Sequence, residues 1–297
     1  MSVATWDFFT DPAQFLAVAG EHLAADPVLA TVVSTTAQRL AARAAAGEEP
    51  PEHPHWFAVT RDRGDVVGVA MRTAPMPPHP LYLLPMPDDA AVALADALVA
   101  RGELPGGANG ALPAARLVAE RVAARSGAAV TAAVRTRLFE VRTVVRPVRT
   151  PPGGPRLATT ADLATVQGWF DAFGAEAARQ AGRAPKGRAG HFLSADDVTR
   201  RVADGRVWLW EDAGETVHMT GVAGPALGVA RVGPVFTPPA HRGRGYAGAL
   251  VAHVSQALLD AGHRVCLFTD QANPVSNALY QRLGYERVVD TTELLIG

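Results

Sequence analysis

The segment Val235-Phe236-Thr237-Pro238-Pro239-Ala240-His241-Arg242-Gly243-Arg244-Gly245-Tyr246-Ala247 decides how this chain is read. Its first residues have the character of a strand, its centre is a glycine-rich turn, and its end opens a helix. Leu250, Val251, Val254 and Leu258 give that helix one apolar stripe, and Gly262 supplies its stop. Gly243 and Gly245 let the backbone approach an anion with no Cβ in the way, and the unpaired N–H groups of a helix start face the same point. Arg242 and Arg244 add side-chain charge. The segment therefore reads as a phosphate cradle.

A rival reading starts from Gly243-Arg244-Gly245-Tyr246-Ala247-Gly248, which also satisfies the dinucleotide fingerprint, with Asp270 standing where a ribose-binding acid would. That reading implies an NAD(P)-dependent oxidoreductase. It fits less well, because a doubly wound sheet needs several more strand-helix units and only 27 residues follow Asp270. The insert from Thr237 to Arg242 is also too long for the tight first turn of that motif.

A second segment, Asn273-Pro274-Val275-Ser276-Asn277-Ala278-Leu279-Tyr280, is followed by Gly284-Tyr285. In this order and spacing the two segments resemble the GNAT superfamily of acyl-CoA-dependent N-acyltransferases, whose cofactor loop has the form Arg/Gln-x-x-Gly-x-Gly/Ala. Arg242, Gly245 and Ala247 match the loop, and Asn273, Tyr280, Gly284 and Tyr285 match the later segment. The resemblance directly covers about residues 155 to 297.

The resemblance implies a role for each group. The backbone amides of Gly243, Arg244, Gly245, Tyr246 and Ala247 would hold the pyrophosphate of acetyl-CoA, with the Arg242 and Arg244 side chains helping. The strand edge at Val235, Phe236 and Thr237 would pair with pantetheine as an added strand. Pro234, just before it, suits a bulge that splays the sheet. Asn273 and Ser276 would bind the pantetheine arm. Tyr280, a phenol that stays protonated at neutral pH, would be the general acid on the departing CoA thiolate. Glu211 and His218 are the candidate general bases; each also suits a strand end or a solvated position.

Composition sets the frame. The chain has 297 residues, 48% hydrophobic and 19% charged, which suits two ordinary globular domains. A net charge of −1 offers no general basic field, so neither nucleic acid nor a membrane surface is an expected partner. The first residues lack a basic-then-apolar leader pattern and the lone cysteine, Cys266, sits in an apolar run as a core thiol, so a cytoplasmic location is expected. His53 and His55 form a His-Pro-His pair without a third ligand, and no metal is expected.

The fold class expected is α/β, a mixed α+β sheet, as two GNAT-like domains in tandem, a plan similar to that of the mycothiol synthases. The boundaries are 1–148 for a degenerate first domain, 149–155 for a proline- and glycine-rich linker, and 156–297 for the catalytic domain. In the first half, helical patterns run over 11–46, 88–101 and 114–126, and strands over 56–60, 66–73, 81–84 and 132–145. Where the phosphate loop would stand, Pro85-Met86-Pro87-Asp88-Asp89-Ala90 brings two carboxylates and no glycine. The second half reads as a strand at 156–158, a helix carrying Leu163, Val166, Trp169, Phe170 and Phe173 inward, and a helix capped at Ser194. Strands follow at 206–211 and 216–222, then the cradle strand and its helix, a strand ending at Phe268, the Asn273 helix and a final strand at 287–296. The function expected is acetyl transfer to a primary amine of a small molecule or peptide, with a monomer compatible. A non-catalytic acyl-CoA-sensing module is the alternative.

Overall fold

A computed structural model of the chain describes residues 4–76, 79–180 and 194–297; residues 1–3 of the leader reading lie outside it. The chain divides into two compact units, residues 1–136 with 289–297, and residues 137–288. Among the described residues no helix is long and apolar enough to cross a membrane.

The first unit contains β1 (Trp6–Phe9), α1 (Pro12–Ala25), α2 (Thr31–Ala45), β2 (Trp56–Asp62), β3 (Asp65–Arg72), β4 (Leu81–Leu83), α3 (Asp88–Ala100), β5 (Gly107–Ala111) and α4 (Ala114–Ser126). It also holds the start of β6 (Val130–Val141) and the end of β12 (Tyr285–Ile296). The helical pattern read over 11–46 is two helices. Asp11 caps the first by accepting from Ala13 N, and the break falls at Asp26-Pro27, where Asp26 Oδ1 accepts from Leu29 N at 3.2 Å. β2, β3 and β4 pair antiparallel in sequence, whereas β4 and β5 are parallel and are connected through α3. Leu81, Leu83, Leu94, Leu98, Val118 and Val122 fill the core with Trp56 and Leu294.

Sequence reading missed two strands, β1 and β5; Gly-Ala-Asn-Gly-Ala of β5 has almost no strand propensity. Its glycines are required by crowding. A Cβ on Gly107 would lie 2.6 Å from the Leu294 carbonyl oxygen, and one on Gly110 would lie 2.6 Å from that of Leu83.

The second unit contains the rest of β6, β7 (Gly154–Leu157), α5 (Leu163–Gln180), α6 (Ala195–Ala203), β8 (Val207–Asp212), β9 (Glu215–Val222), β10 (Val229–Phe236), α7 (Tyr246–Asp260), β11 (Arg264–Asp270) and α8 (Pro274–Arg282). The strand order is β6-β11-β10-β9-β8-β7. β7–β8, β8–β9 and β9–β10 are antiparallel, and β10–β11 is parallel. The hairpin between β8 and β9 turns at Ala213 and Gly214, both at positive φ, as expected from Asp212-Ala213-Gly214-Glu215. Ser194 caps α6 by accepting from Asp197 N, which accounts for the acidic pair Asp196-Asp197. Cys266 is fully buried, as a core thiol should be.

The division by contacts differs in place from the one read at 149–155. That proline-rich stretch is built into the second unit: Trp210 Nε1 donates to the Pro152 carbonyl at 2.8 Å, Pro151 is buried, and Gly154 already begins β7. The last residues of the chain go to the first unit because β12 from Thr291 to Leu295 pairs antiparallel with β5.

Candidate functional site

β10 and β11 pair only from Val229↔Arg264 to Arg231↔Cys266. Beyond that point β10 stays with β9 through a bulge between Val232 and Val235 and separates from β11. The bulge falls at Gly233-Pro234, as the proline suggested. The separation opens a cleft of about 120 Å³. Residues 232–237 of the β10 segment, Phe268, Thr269 and Asp270 of β11, Phe173, Glu176 and Ala177 of α5, and Asn273, Ser276 and Tyr280 of the α8 segment line it. Val235 and Phe236 end β10 beyond its pairing with β11, and Thr237 follows the strand; all three line the cleft.

The glycine-rich loop follows directly. A 3₁₀ turn at Pro239–His241 leads to an extended Arg242, then Gly243 at φ +76° and Gly245 at φ +90°, and α7 starts at Tyr246. Only glycine takes both of those conformations without steric cost. The first helical bond runs from Ala249 N to the Gly245 carbonyl at 3.1 Å, so the N–H groups of the preceding turn have no partner along the helix. Gly243, Arg244 and Gly245 are exposed, and Ala247 is half-buried.

Several side chains of the segment are turned away from this exposed face. Arg242 donates from Nε to the Thr237 carbonyl at 3.1 Å, and its Nη1 stands 2.6 Å from Glu176 Oε1. Among the described residues its Nη2 is buried without a hydrogen-bond partner. Tyr246 is buried and its hydroxyl donates to Asp212, whose carboxylate holds the phenol protonated above its ordinary range. His241 Nε2 lies 3.2 Å from Glu215 Oε1. The loop is tied down by carboxylates at Glu176, Asp212 and Glu215.

Asn273 is buried and caps α8, accepting at Oδ1 from Ser276 N at 3.1 Å, so its side-chain oxygen has a structural task as well as a place in the cleft wall. Tyr280 is buried, its ring edge-on to Tyr285 at 5.9 Å, and burial pushes its hydroxyl well above the ordinary phenol value. Tyr280 is also one of the residues that line the cleft.

The two candidate bases do not line the cleft. Glu211 accepts from Arg156 Nε at 2.7 Å, within a cluster in which Arg156 also binds Asp162 and Thr216. His218 is fully buried behind Thr237: Nδ1 is 2.7 Å from Thr237 Oγ1 and Nε2 is 3.0 Å from Thr220 Oγ1. Loss of hydration pushes its pKa down to about 3, which keeps the ring neutral. Among the described residues no cluster of three or more His, Cys, Asp or Glu is arranged to hold a metal.

Glu176 is the charged cleft residue that sequence reading did not name. The signal was present, since Val166, Trp169, Phe170 and Phe173 set a helical stripe that returns at 176, and a carboxylate on an apolar face is worth a question. The rival dinucleotide reading has no support in the topology, because the sheet around β10 is antiparallel on one side. Asp270 instead closes the turn into α8, where Oδ1 accepts from Ala272 N at 2.9 Å.

Residues 226–294 match the FR47-like protein family. A comparison of the sequence with curated proteins gives no match. Among solved structures the chain is similar to a GCN5-related N-acetyltransferase from Sphaerobacter thermophilus (18% identity, TM-score 0.59, covering 97% of this chain and 94% of that one). It is also similar to a GNAT-family acetyltransferase from Colwellia psychrerythraea (11% identity, TM-score 0.56, covering 98% and 99%). A tandem GNAT protein from the clavulanic acid biosynthesis pathway is a third (14% identity, TM-score 0.53, covering 99% and 98%). At these identities the likeness shows the fold alone, one shared with GNAT-family acetyltransferases and with a tandem GNAT protein over nearly the whole chain.

Proposed function

We propose that the second unit is an N-acyltransferase domain that moves an acetyl group from acetyl-CoA to a primary amine of a small molecule or peptide. The observation that carries the reading is the cleft between β10 and β11, lined by the released end of β10 and by the buried Tyr280, with a double-glycine helix start following β10 in the chain. Pantetheine lies along 235–237 as an added strand, and the amides of 243–247 meet the pyrophosphate. Arg244, exposed at the tip of the loop, adds charge to that contact.

The neutral amine attacks the thioester carbon. A backbone amide in the splay stabilises the oxyanion, and the carbon–sulfur bond then breaks as the Tyr280 hydroxyl gives its proton to the sulfur. The attacking nitrogen releases its extra proton to water, and Tyr280 regains one from solvent. This reading gives Glu211 and His218 no direct part in the sequence of steps.

Calorimetric titration of acetyl-CoA, CoA and NADP into the protein and into Gly245→Glu tests the reading. Gly245 sits at φ +90° and a Cβ there would meet only Pro151 Cδ at 4.0 Å, so the variant strains the loop and puts a carboxylate where phosphate should bind while the core is untouched. Micromolar binding of acetyl-CoA, weakened at least 100-fold in the variant with secondary structure retained, is the expected result. Preference for NADP, or no CoA binding, would overturn the proposal. Binding without CoA release in the presence of any of a panel of amines would favour an acyl-CoA-sensing module.

A further inference from the structure

Thr237 lines the cleft and follows Phe236, the last residue of β10 and the last to pair with β9. Side chains hold it where the strand ladder no longer does. Its carbonyl accepts from Arg242 Nε at 3.1 Å, and its Oγ1 stands 2.7 Å from Nδ1 of His218 on β9. The other ring nitrogen, Nε2, is 3.0 Å from Oγ1 of Thr220, two residues along the same strand and on the same face. His218 and Thr220 are fully buried, and loss of hydration keeps the ring neutral. The imidazole thus ties the released end of β10 to β9 through a chain of three side chains. A neutral ring carries one N–H, so Nδ1 either accepts from the Thr237 hydroxyl or donates to it. A hydroxyl has one donor and two acceptor directions. In the first case both lone pairs of Oγ1 stay clear of the ring, and in the second one does. Either way Oγ1 can accept a further N–H, while the imidazole fixes where the hydroxyl stands.

On the reading that pantetheine lies along 235–237, we propose that the Thr237 hydroxyl accepts a hydrogen bond from an amide N–H of the pantetheine arm, and that His218 is the positioning residue that holds the hydroxyl ready for it. The end of β10 then grips the arm through a side chain as well as through its backbone edge. The entropic cost is low, because the Thr237 rotamer is set before the substrate arrives. His218 acts through Thr237 and touches neither substrate nor reacting atoms.

The test is a double-substitution cycle read by calorimetry with CoA, alongside ligand-observed NMR with pantetheine and with adenosine bisphosphate, the half of CoA that lacks the arm and its amides. Thr237→Val, which keeps the shape and removes the hydroxyl, is expected to raise the Kd for CoA and for pantetheine about fivefold to tenfold, the scale of one hydrogen bond, and to leave that for adenosine bisphosphate within about twofold. Thr237→Ser, which keeps the hydroxyl, should restore most of the affinity. His218→Leu should match Thr237→Val and add little to it in the double variant. His218→Gln, which can still reach a hydroxyl, should fall between wild type and His218→Leu, and serves in its place if that variant does not fold. Wild-type affinity for CoA in Thr237→Val, equal losses for pantetheine and adenosine bisphosphate, or losses at the two positions that simply add would make the pair a general structural contact and overturn the inference. A wild-type protein that binds no CoA would instead overturn the acyltransferase reading beneath it.

Discussion

His218 offers the sharpest quantitative check, because its environment fixes both the sign and the size of an effect. The imidazole is fully buried, with hydroxyls of Thr237 and Thr220 on its two nitrogens, and its pKa is pushed down from 6.5 to about 3 by loss of hydration. As the pH falls below 6.5 the unfolded chain takes up a proton that the folded protein refuses until about pH 3. Stability is therefore fully present above pH 6.5 and is lost as the pH falls toward the folded value. With both values inserted, the loss from pH 7 to pH 5 is about 2 kcal/mol at 1.36 kcal/mol per effective unit. Urea unfolding of wild type and His218→Gln at pH 7 and pH 5, at matched ionic strength, reads this directly. Glutamine can still hydrogen-bond a threonine hydroxyl, and comparison within each protein removes the cost of the substitution itself. The variant should lose about 2 kcal/mol less than wild type between the two pH values, and the His218 ring resonances should not titrate between pH 7.5 and 4.5. Equal pH dependence in the two proteins would show that the ring is charged or solvated in the folded state, and would restore His218 as a candidate base.

Tyr280→Phe should lower kcat for CoA release about 100-fold while leaving the Kd for acetyl-CoA within about twofold, measured by steady-state thiol detection and calorimetry; unchanged kcat would remove Tyr280 from the chemistry. Arg156→Met should cost about 1 kcal/mol in urea unfolding at pH 7, a modest figure because the Arg156 side chain is 33% exposed. Arg156 holds the Asp162 carboxyl well below its usual range, so this stabilisation is present above the ordinary aspartate pKa and is lost as the pH falls. The gap between wild type and variant should accordingly narrow below about pH 4; a pH-independent gap would assign the loss to packing. Gly110→Ala, with its Cβ 2.6 Å from the Leu83 carbonyl oxygen, should destabilise by about 2–3 kcal/mol in thermal or urea unfolding. Gly20→Ala, inside α1 with nothing within 4 Å, should stabilise by about 0.5–1 kcal/mol; similar effects from the two would discount the crowding at β5.

What could be read from the amino-acid order was local. Gly243 and Gly245 announce positive φ, Pro234 announces a bulge, Ser194 and Asn273 announce helix starts, and Ala213-Gly214 a hairpin, because each requirement is met by residues a few positions apart. The position of the cleft followed from the same local signals, since a strand that bulges before a glycine loop must leave its parallel neighbour. What the sequence could not settle were meetings between distant segments. β5 exists because Leu83 and Leu294 crowd its glycines, β12 gives its last residues to the first unit, and the proline stretch packs against Trp210 instead of standing free. Side-chain direction belonged to the same class. Arg242 turns to Glu176 and His218 lies sealed behind Thr237, because ion pairing and loss of hydration depend on which groups the folded chain brings within a few ångströms, and that distance is not written along the chain.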